Sequence, residues 1–239
     1  MIDKHAPVFL LAGGPGSREK KGPDPLFRHV FQQTGIQKPT VAYIGAASGD
    51  NPVFRLWLSK VMQKAGAGKV TLAPLYGRKG DPEKARAVIE ASDLIFISGG
   101  DVDEGMRVLR EKEMIGILRH HHQAGKPFFG MSAGSIMLAR QWIRWTDEDD
   151  DASAELFDCL GFAPIFCDTH GEDDGWEELK ALIGCFPSGT TGYGIISGAA
   201  VVVKPEGTVS ALGGKVHRFR RQDHGVVQIE DLVPGKNIR

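Results

Sequence analysis

Phe128-Phe129-Gly130-Met131-Ser132-Ala133-Gly134-Ser135 runs directly into Ile136-Met137-Leu138-Ala139. An apolar strand breaks at Gly-x-Ser-x-Gly and continues at once as a helix, which is the pattern of a nucleophile elbow. So tight a turn holds its central residue in a strained backbone conformation, and the flanking glycines relieve the crowding that side chains would cause. The strain presents the Ser132 hydroxyl to solvent. It also aims the first free amides of the new helix at the same point, where they can stabilise an oxyanion.

Outward from the elbow, short apolar runs alternate with amphipathic stretches. Val8–Ala12, Thr40–Ile44, Val70–Leu75, Leu94–Ser98 and Pro127–Gly130 read as strands covered on both faces. The 52–65 stretch reads as a helix with Val53, Trp57, Val61 and Met62 on one stripe. A second helix spans 82–91, with Asp81 as N-cap and Pro82 at its first position. This alternation predicts a parallel sheet with right-handed crossovers, whose ligands bind beyond the carboxyl ends of the strands. A strand at 164–168 and a helix near 176–186 continue the rhythm. The tail differs: 199–203, 209–212, 215–221 and 225–229 are short strands separated by turns, an antiparallel meander. The chain, 239 residues long, is expected to form a single domain over 1–239.

Composition excludes several classes. The 29 Lys and Arg nearly balance 30 Asp and Glu, and no basic segment interleaved with aromatics offers a nucleic-acid surface. No apolar run approaches the roughly 20 residues that a bilayer requires, and the N-terminus lacks a signal-peptide core. A cytoplasmic protein is expected, with no nucleic-acid or membrane partner. Cys159, Cys167 and Cys185 lack C-x-x-C spacing and read as buried free thiols. The acidic run 147–151 reads as a solvated loop.

A nucleophilic serine needs a base. His120, His121 and His122 close a helix, where cations meet the dipole favourably, and read as a surface cap rather than a metal site. His217 and His224 fall in the terminal hairpins; His5 and His29 belong to no motif. His170 ends the strand Pro164-Ile165-Phe166-Cys167-Asp168-Thr169 and so lies at the same sheet edge as the elbow. Ser98-Gly99-Gly100-Asp101 ends another strand, before a helix that Asp101 and Glu104 cap in the Asp-x-x-Glu spacing. Alone it reads as a phosphate-binding turn or a helix start; beside the elbow it reads as an oxyanion donor. Gly13-Gly14-Pro15-Gly16 lacks the dinucleotide spacing, and no acidic residue follows the second strand.

Ser-Gly-Gly-Asp at 98–101, Gly-x-Ser-Ala-Gly at 130–134 and Asp-x-His at 168–170, in this order, resemble the dipeptidase E and cyanophycinase family of serine peptidases. The similarity spans most of the chain, including the meander that Gly194-Ile195-Ile196-Ser197-Gly198 introduces. It implies an α/β fold of the class I glutamine amidotransferase-like, flavodoxin-like kind: a three-layer α/β/α sandwich with a mostly parallel sheet, plus the C-terminal antiparallel meander. It also implies Ser132 as nucleophile, His170 as base, and the Gly100 and Ala133 amides as the oxyanion hole. No metal or organic cofactor is required. Members of the family hydrolyse bonds after aspartate, so the partner expected is a small peptide substrate such as an aspartyl dipeptide or isopeptide; a homodimer is a compatible assembly.

One position departs from the family. Where its members place a glutamate that orients the histidine, this chain carries Ser197. Asp168, Glu172 and Asp173 are the carboxylates available to substitute, and the sequence does not choose among them. The loop after His170, Gly171-Glu172-Asp173-Asp174, would also repel an aspartyl substrate. Two rivals therefore stand beside the peptidase reading: an esterase or acyl hydrolase using the same elbow, and a non-catalytic binding protein that has lost the triad acid.

Overall fold

A computed structural model describes residues 6–13, 22–147 and 153–238. The glycine turn at 14–16, His5 and most of the acidic run lie outside the described residues. Five strands, β1 (Val8–Leu11), β2 (Val41–Ile44), β3 (Val70–Ala73), β4 (Leu94–Ile97) and β5 (Phe128–Met131), pair in parallel in the order β1-β5-β4-β2-β3. β6 (Gln141–Trp145) and β7 (Ala154–Asp158) form a separate hairpin. β8 (Phe166–Thr169) and β9 (Thr191–Ile195) pair in parallel. β10 (Ala200–Val203) and β11 (Val209–Leu212) extend the first sheet antiparallel from β1, and β14 (Asn237–Ile238) closes that edge. β12 (Val216–Gln222) and β13 (Gly225–Leu232) instead join β9 in a four-stranded sheet. The expected meander is thus antiparallel but divided between two sheets. Each half completes a sheet whose other strands come from elsewhere in the chain.

Seven α-helices are described: α1 (Pro25–Gln33), α2 (Pro52–Ala65), α3 (Pro82–Ala91), α4 (Val102–Glu111), α5 (Met114–Gln123), α6 (Ala133–Leu138) and α7 (Glu177–Gly184). The first three start alike, with Asp24, Asn51 or Asp81 accepting from the first free amides and a proline at the first helical position. The side-chain oxygen satisfies N–H groups that have no intrahelical partner, and proline has no amide to leave unpaired.

Strand periodicity builds the layers. Val8, Leu10, Ala42, Ile44, Ile95, Ile97 and Phe128 face one core, shared with α3 to α7 and the second sheet. Their neighbours Phe9, Leu11, Val41, Tyr43, Leu94, Phe96 and Phe129 face the other, under α1 and α2. Successive strand residues point to opposite faces, so continuous apolar runs demand cover on both sides. On α2 the stripe that packs is Leu58, Met62 and Ala65, with Phe54, Trp57 and Val61 half-buried beside it. Val53, expected on that stripe, is 77% exposed. Five positions before Leu58, it sits about 140° around the helix from the core face.

Candidate active site

Ser132 joins β5 to α6 at φ 53° and ψ −125°, a region costing roughly 1–3 kcal/mol for a residue with a side chain. Its surroundings hold it there. The Ser132 N–H donates to the Leu11 carbonyl at 2.8 Å, and the Ser132 carbonyl accepts from the Ser135 N–H at 2.7 Å. The Ser135 hydroxyl donates to the same Leu11 carbonyl at 2.8 Å. A Cβ on Gly130 would stand 2.4 Å from the Gly134 carbonyl carbon, and one on Gly134 would stand 2.1 Å from the Ile97 oxygen. The two glycines of the motif therefore let α6 turn back against β5 and β4.

The Ser98-Gly99-Gly100 turn passes beside the serine: a Cβ on Gly99 would lie 3.1 Å from Ser132 Cβ. Among the described residues the Gly100 N–H makes no hydrogen bond, and the Ala133 N–H, first of its helix, has no intrahelical acceptor. Asp101 caps α4 through the Glu104 N–H at 2.8 Å, which is half of the expected Asp-x-x-Glu cap: the Glu104 carboxylate is bound to Arg107 and the Asp101 N–H donates to the Ala47 carbonyl instead. Gly100, Ser132 and Ala133 line a cavity of about 740 Å³, which Trp142, Arg144 and Trp145 of β6 also line. Its charge is acidic: Asp101, Asp103, Asp168, Glu177 and Glu178 face one cation, Arg144, which is already bound to Asp103 at 2.8 Å and Glu155 at 3.1 Å.

His170 follows β8 at φ 66°. It lines a second cavity, of about 320 Å³, together with Ser132. No hydrogen bond joins the two side chains; such contacts often tighten only when substrate binds. His170 Nδ1 is instead 3.0 Å from Ser197 Oγ. The Ser197 N–H donates to Glu172 Oε1 at 2.6 Å, and the next amide, of Gly198, donates to the Gly13 carbonyl at 2.6 Å.

The carboxylates left open by the sequence separate clearly. Glu172 stands one bond behind Ser197. Asp168 lines the larger cavity rather than meeting the imidazole; its Oδ1 accepts from the Thr169 N–H at 2.6 Å. Burial pushes the Asp168 carboxyl up to about 7, the Thr169 N–H opposing and the Glu178, Asp174 and Glu172 charges adding to the rise. Burial likewise raises Glu178, with Asp174 contributing. Asp173 has no hydrogen bond or ion pair among the described residues.

Two of the sequence expectations, for His122 and Cys185, need correction. His122 is not part of a surface cap: it is buried, with its ring stacked on Phe162 at 4.4 Å between centroids. His217 Nδ1 sits 2.9 Å from Asp231. Cys159 and Cys167 are buried thiols, but Cys185 is exposed; burial pushes the Cys159 thiol up to about 12. Trp142, Arg144, Trp145 and Glu178 were not singled out from the sequence. The one signal for the first three was the dense aromatic run Trp142-Ile143-Arg144-Trp145, which says nothing of which wall it forms.

His170 does not share the elbow's sheet edge as expected: β5 belongs to the eight-stranded sheet and β8 to the four-stranded one, and packing of the two sheets brings both residues to one cavity. An elbow serine sharing a cavity with a histidine makes a candidate hydrolase-type site, and comparison with known proteins places it further. The chain belongs to peptidase family S51, whose model matches residues 8–210, and is by class a serine peptidase. It is 24% identical over 213 residues to a cyanophycinase of Trichormus variabilis, covering 86% of this chain and 70% of that protein. It is 31% identical over 90 residues to a peptidase E of Shewanella denitrificans, covering 38% of this chain and 37% of that one. Among solved structures, a peptidase from an acI-B1 Actinobacterium superposes with a TM-score of 0.70 at 16% identity, covering 98% of this chain and 96% of that one. No helix among the described residues is long and apolar enough to cross a membrane.

Proposed function

We propose that this chain hydrolyses a small amide or peptide bond with Ser132 as nucleophile and His170 as its base. The observation that carries the reading is that the strained Ser132 and His170 face one cavity, while the unpaired Gly100 and Ala133 amides border Ser132 on its other side. In this scheme Ser132 Oγ attacks the carbonyl carbon and His170 Nε2 takes the hydroxyl proton. The Gly100 and Ala133 N–H groups donate to the oxyanion, His170 returns the proton to the leaving nitrogen, and water then releases the acyl group. Ser197 Oγ accepts from Nδ1–H and so holds the tautomer that leaves Nε2 free. Being neutral, it stabilises the imidazolium less than a carboxylate does, and the enzyme is accordingly slow.

The aspartyl part of the expected substrate has weak support. The one described cation lining either cavity is Arg144, and two carboxylates already hold it. A neutral or cationic acyl group fits the acidic cavity better. The three free thiols are in keeping with a cytoplasmic setting.

Labelling by a fluorophosphonate probe tests the mechanism. The wild type should be labelled at Ser132, Ser132→Ala not at all, and His170→Ala at a rate lower by about 10³ or more, the scale of losing a triad base. Equal labelling of wild type and His170→Ala would remove the histidine from the mechanism. A dipeptide panel including α- and β-aspartyl, alanyl and lysyl members should show the aspartyl members turned over most slowly.

A further inference from the structure

We propose that the smaller cavity, between α1 and α2, is the subsite for an apolar leaving residue, making this enzyme selective for an aromatic or branched aliphatic group on the amine side of the bond it cleaves. The inference rests on the hydrolase reading above and deepens it. The general acid must reach the leaving nitrogen, so the leaving part of the substrate lies on the histidine side of the serine. His170 lines the smaller cavity and not the larger one. The Gly100 and Ala133 amides, which bind the acyl oxygen, line the larger cavity and not the smaller. The two halves of the substrate are thereby assigned to different surroundings.

The chemistry of the leaving side is apolar. Apolar side chains, among them Leu26, Phe27, Phe54, Trp57, Val61 and Met131, form most of its wall. Besides His170, the one ionisable side chain lining it among the described residues is Asp24, and that carboxylate is committed to the start of α1, accepting from the Leu26 N–H at 2.9 Å and the Phe27 N–H at 3.1 Å. A charged leaving residue entering here would lose water and gain no counter-charge from the described wall, whereas an apolar one gains by the transfer. A volume of about 320 Å³ matches one large side chain and is at the small end of ligand sites.

The test measures how well free leaving groups shield Ser132. The fluorophosphonate labelling rate is followed with increasing phenylalaninamide, leucinamide, lysinamide or aspartic acid α-amide, whose β-carboxylate is free, in wild type, Phe54→Ala and Trp57→Ala. Phenylalaninamide and leucinamide should protect wild-type Ser132 at concentrations at least tenfold below the other two, the discrimination expected of an apolar pocket. Each alanine variant should narrow that ratio to about threefold or less. The ratio is taken within one protein, so a variant that folds incompletely still reports it. If wild type shows no preference, or both variants keep it in full, the subsite is overturned while the hydrolase reading stands. If Ser132 is not labelled in any protein, the hydrolase reading fails and this inference fails with it.

Discussion

The nucleophile and its base are held in different ways. Ser132 is pinned by backbone: its own N–H and C=O are both bonded, Ser135 shares its anchor on Leu11, and α6 packs so closely that Gly130 and Gly134 have no room for a Cβ. The exposed His170 has its backbone N–H on the Ile195 carbonyl at 3.3 Å, but its imidazole is oriented by one side-chain contact, to Ser197 Oγ, and the Ser197 N–H in turn rests on the Glu172 side chain. Backbone hydrogen bonds and close packing resist change as a unit. A chain of single side-chain contacts can be altered one link at a time. The elbow should therefore tolerate almost no substitution, whereas the histidine side should be adjustable in either direction.

The sharpest way to break this contrast is Gly134→Ala. Its Cβ would meet the Ile97 oxygen at 2.1 Å, so β4 and α6 must separate, at a cost of about 3 kcal/mol or more. Chemical denaturation should show that loss, together with disappearance of fluorophosphonate labelling. A variant with wild-type stability would show the elbow to be looser than its packing implies. On the histidine side the expected effect is a gain. Ser197→Glu supplies the charge that the neutral hydroxyl lacks, and single-turnover acylation by an activated amide should rise by about 10², part of the roughly 10⁴ that a triad carboxylate is worth. The gain should persist when Glu172 is also changed to Gln. If Glu172→Gln alone silences the enzyme and Ser197→Glu adds nothing, Glu172 already supplies the charge through Ser197.

The last effect leaves catalysis aside and concerns stability and its pH dependence. The Asp168 carboxyl, raised from 3.8 to about 7 chiefly by burial, keeps in the folded state a proton that the unfolded chain releases. Stability from this group is therefore greatest below pH 4 and falls as pH rises to about 7, by an amount on the order of 4 kcal/mol. Asp168→Asn removes that penalty. It should melt several degrees above wild type at pH 8 and close to wild type at pH 4, as read by scanning calorimetry. An unchanged difference across that range would mean that the carboxyl is hydrated and titrates normally.

Local chemistry makes much of this molecule legible in its sequence. The helices Pro52–Ala65 and Pro82–Ala91 were delimited to the residue, because a capping side chain, a proline and an apolar period all lie within a few positions of one another. The five parallel strands were found to within two residues, since a strand buried on both faces must be apolar throughout. The elbow was legible for the same reason: its glycines, serine and flanking periods are contiguous, and the backbone strain follows from them.

What the tertiary structure alone decided depends on residues far apart in the chain. The tail's strands divide between two sheets because β10 finds β1 and β12 finds β9, partners separated from them by very different lengths of chain. Ser197 rather than Asp168 meets His170, although Asp168 is two residues away and Ser197 is 27: along a strand, alternate side chains share a face, but the left-handed turn at His170 breaks that alternation. The two unlike cavities at Ser132 arise where α1 and α2 pack on one side and β6 and α7 on the other. Turns and caps are written in neighbouring residues. Pocket walls are written in contacts between distant segments, and only the packed chain brings those segments together.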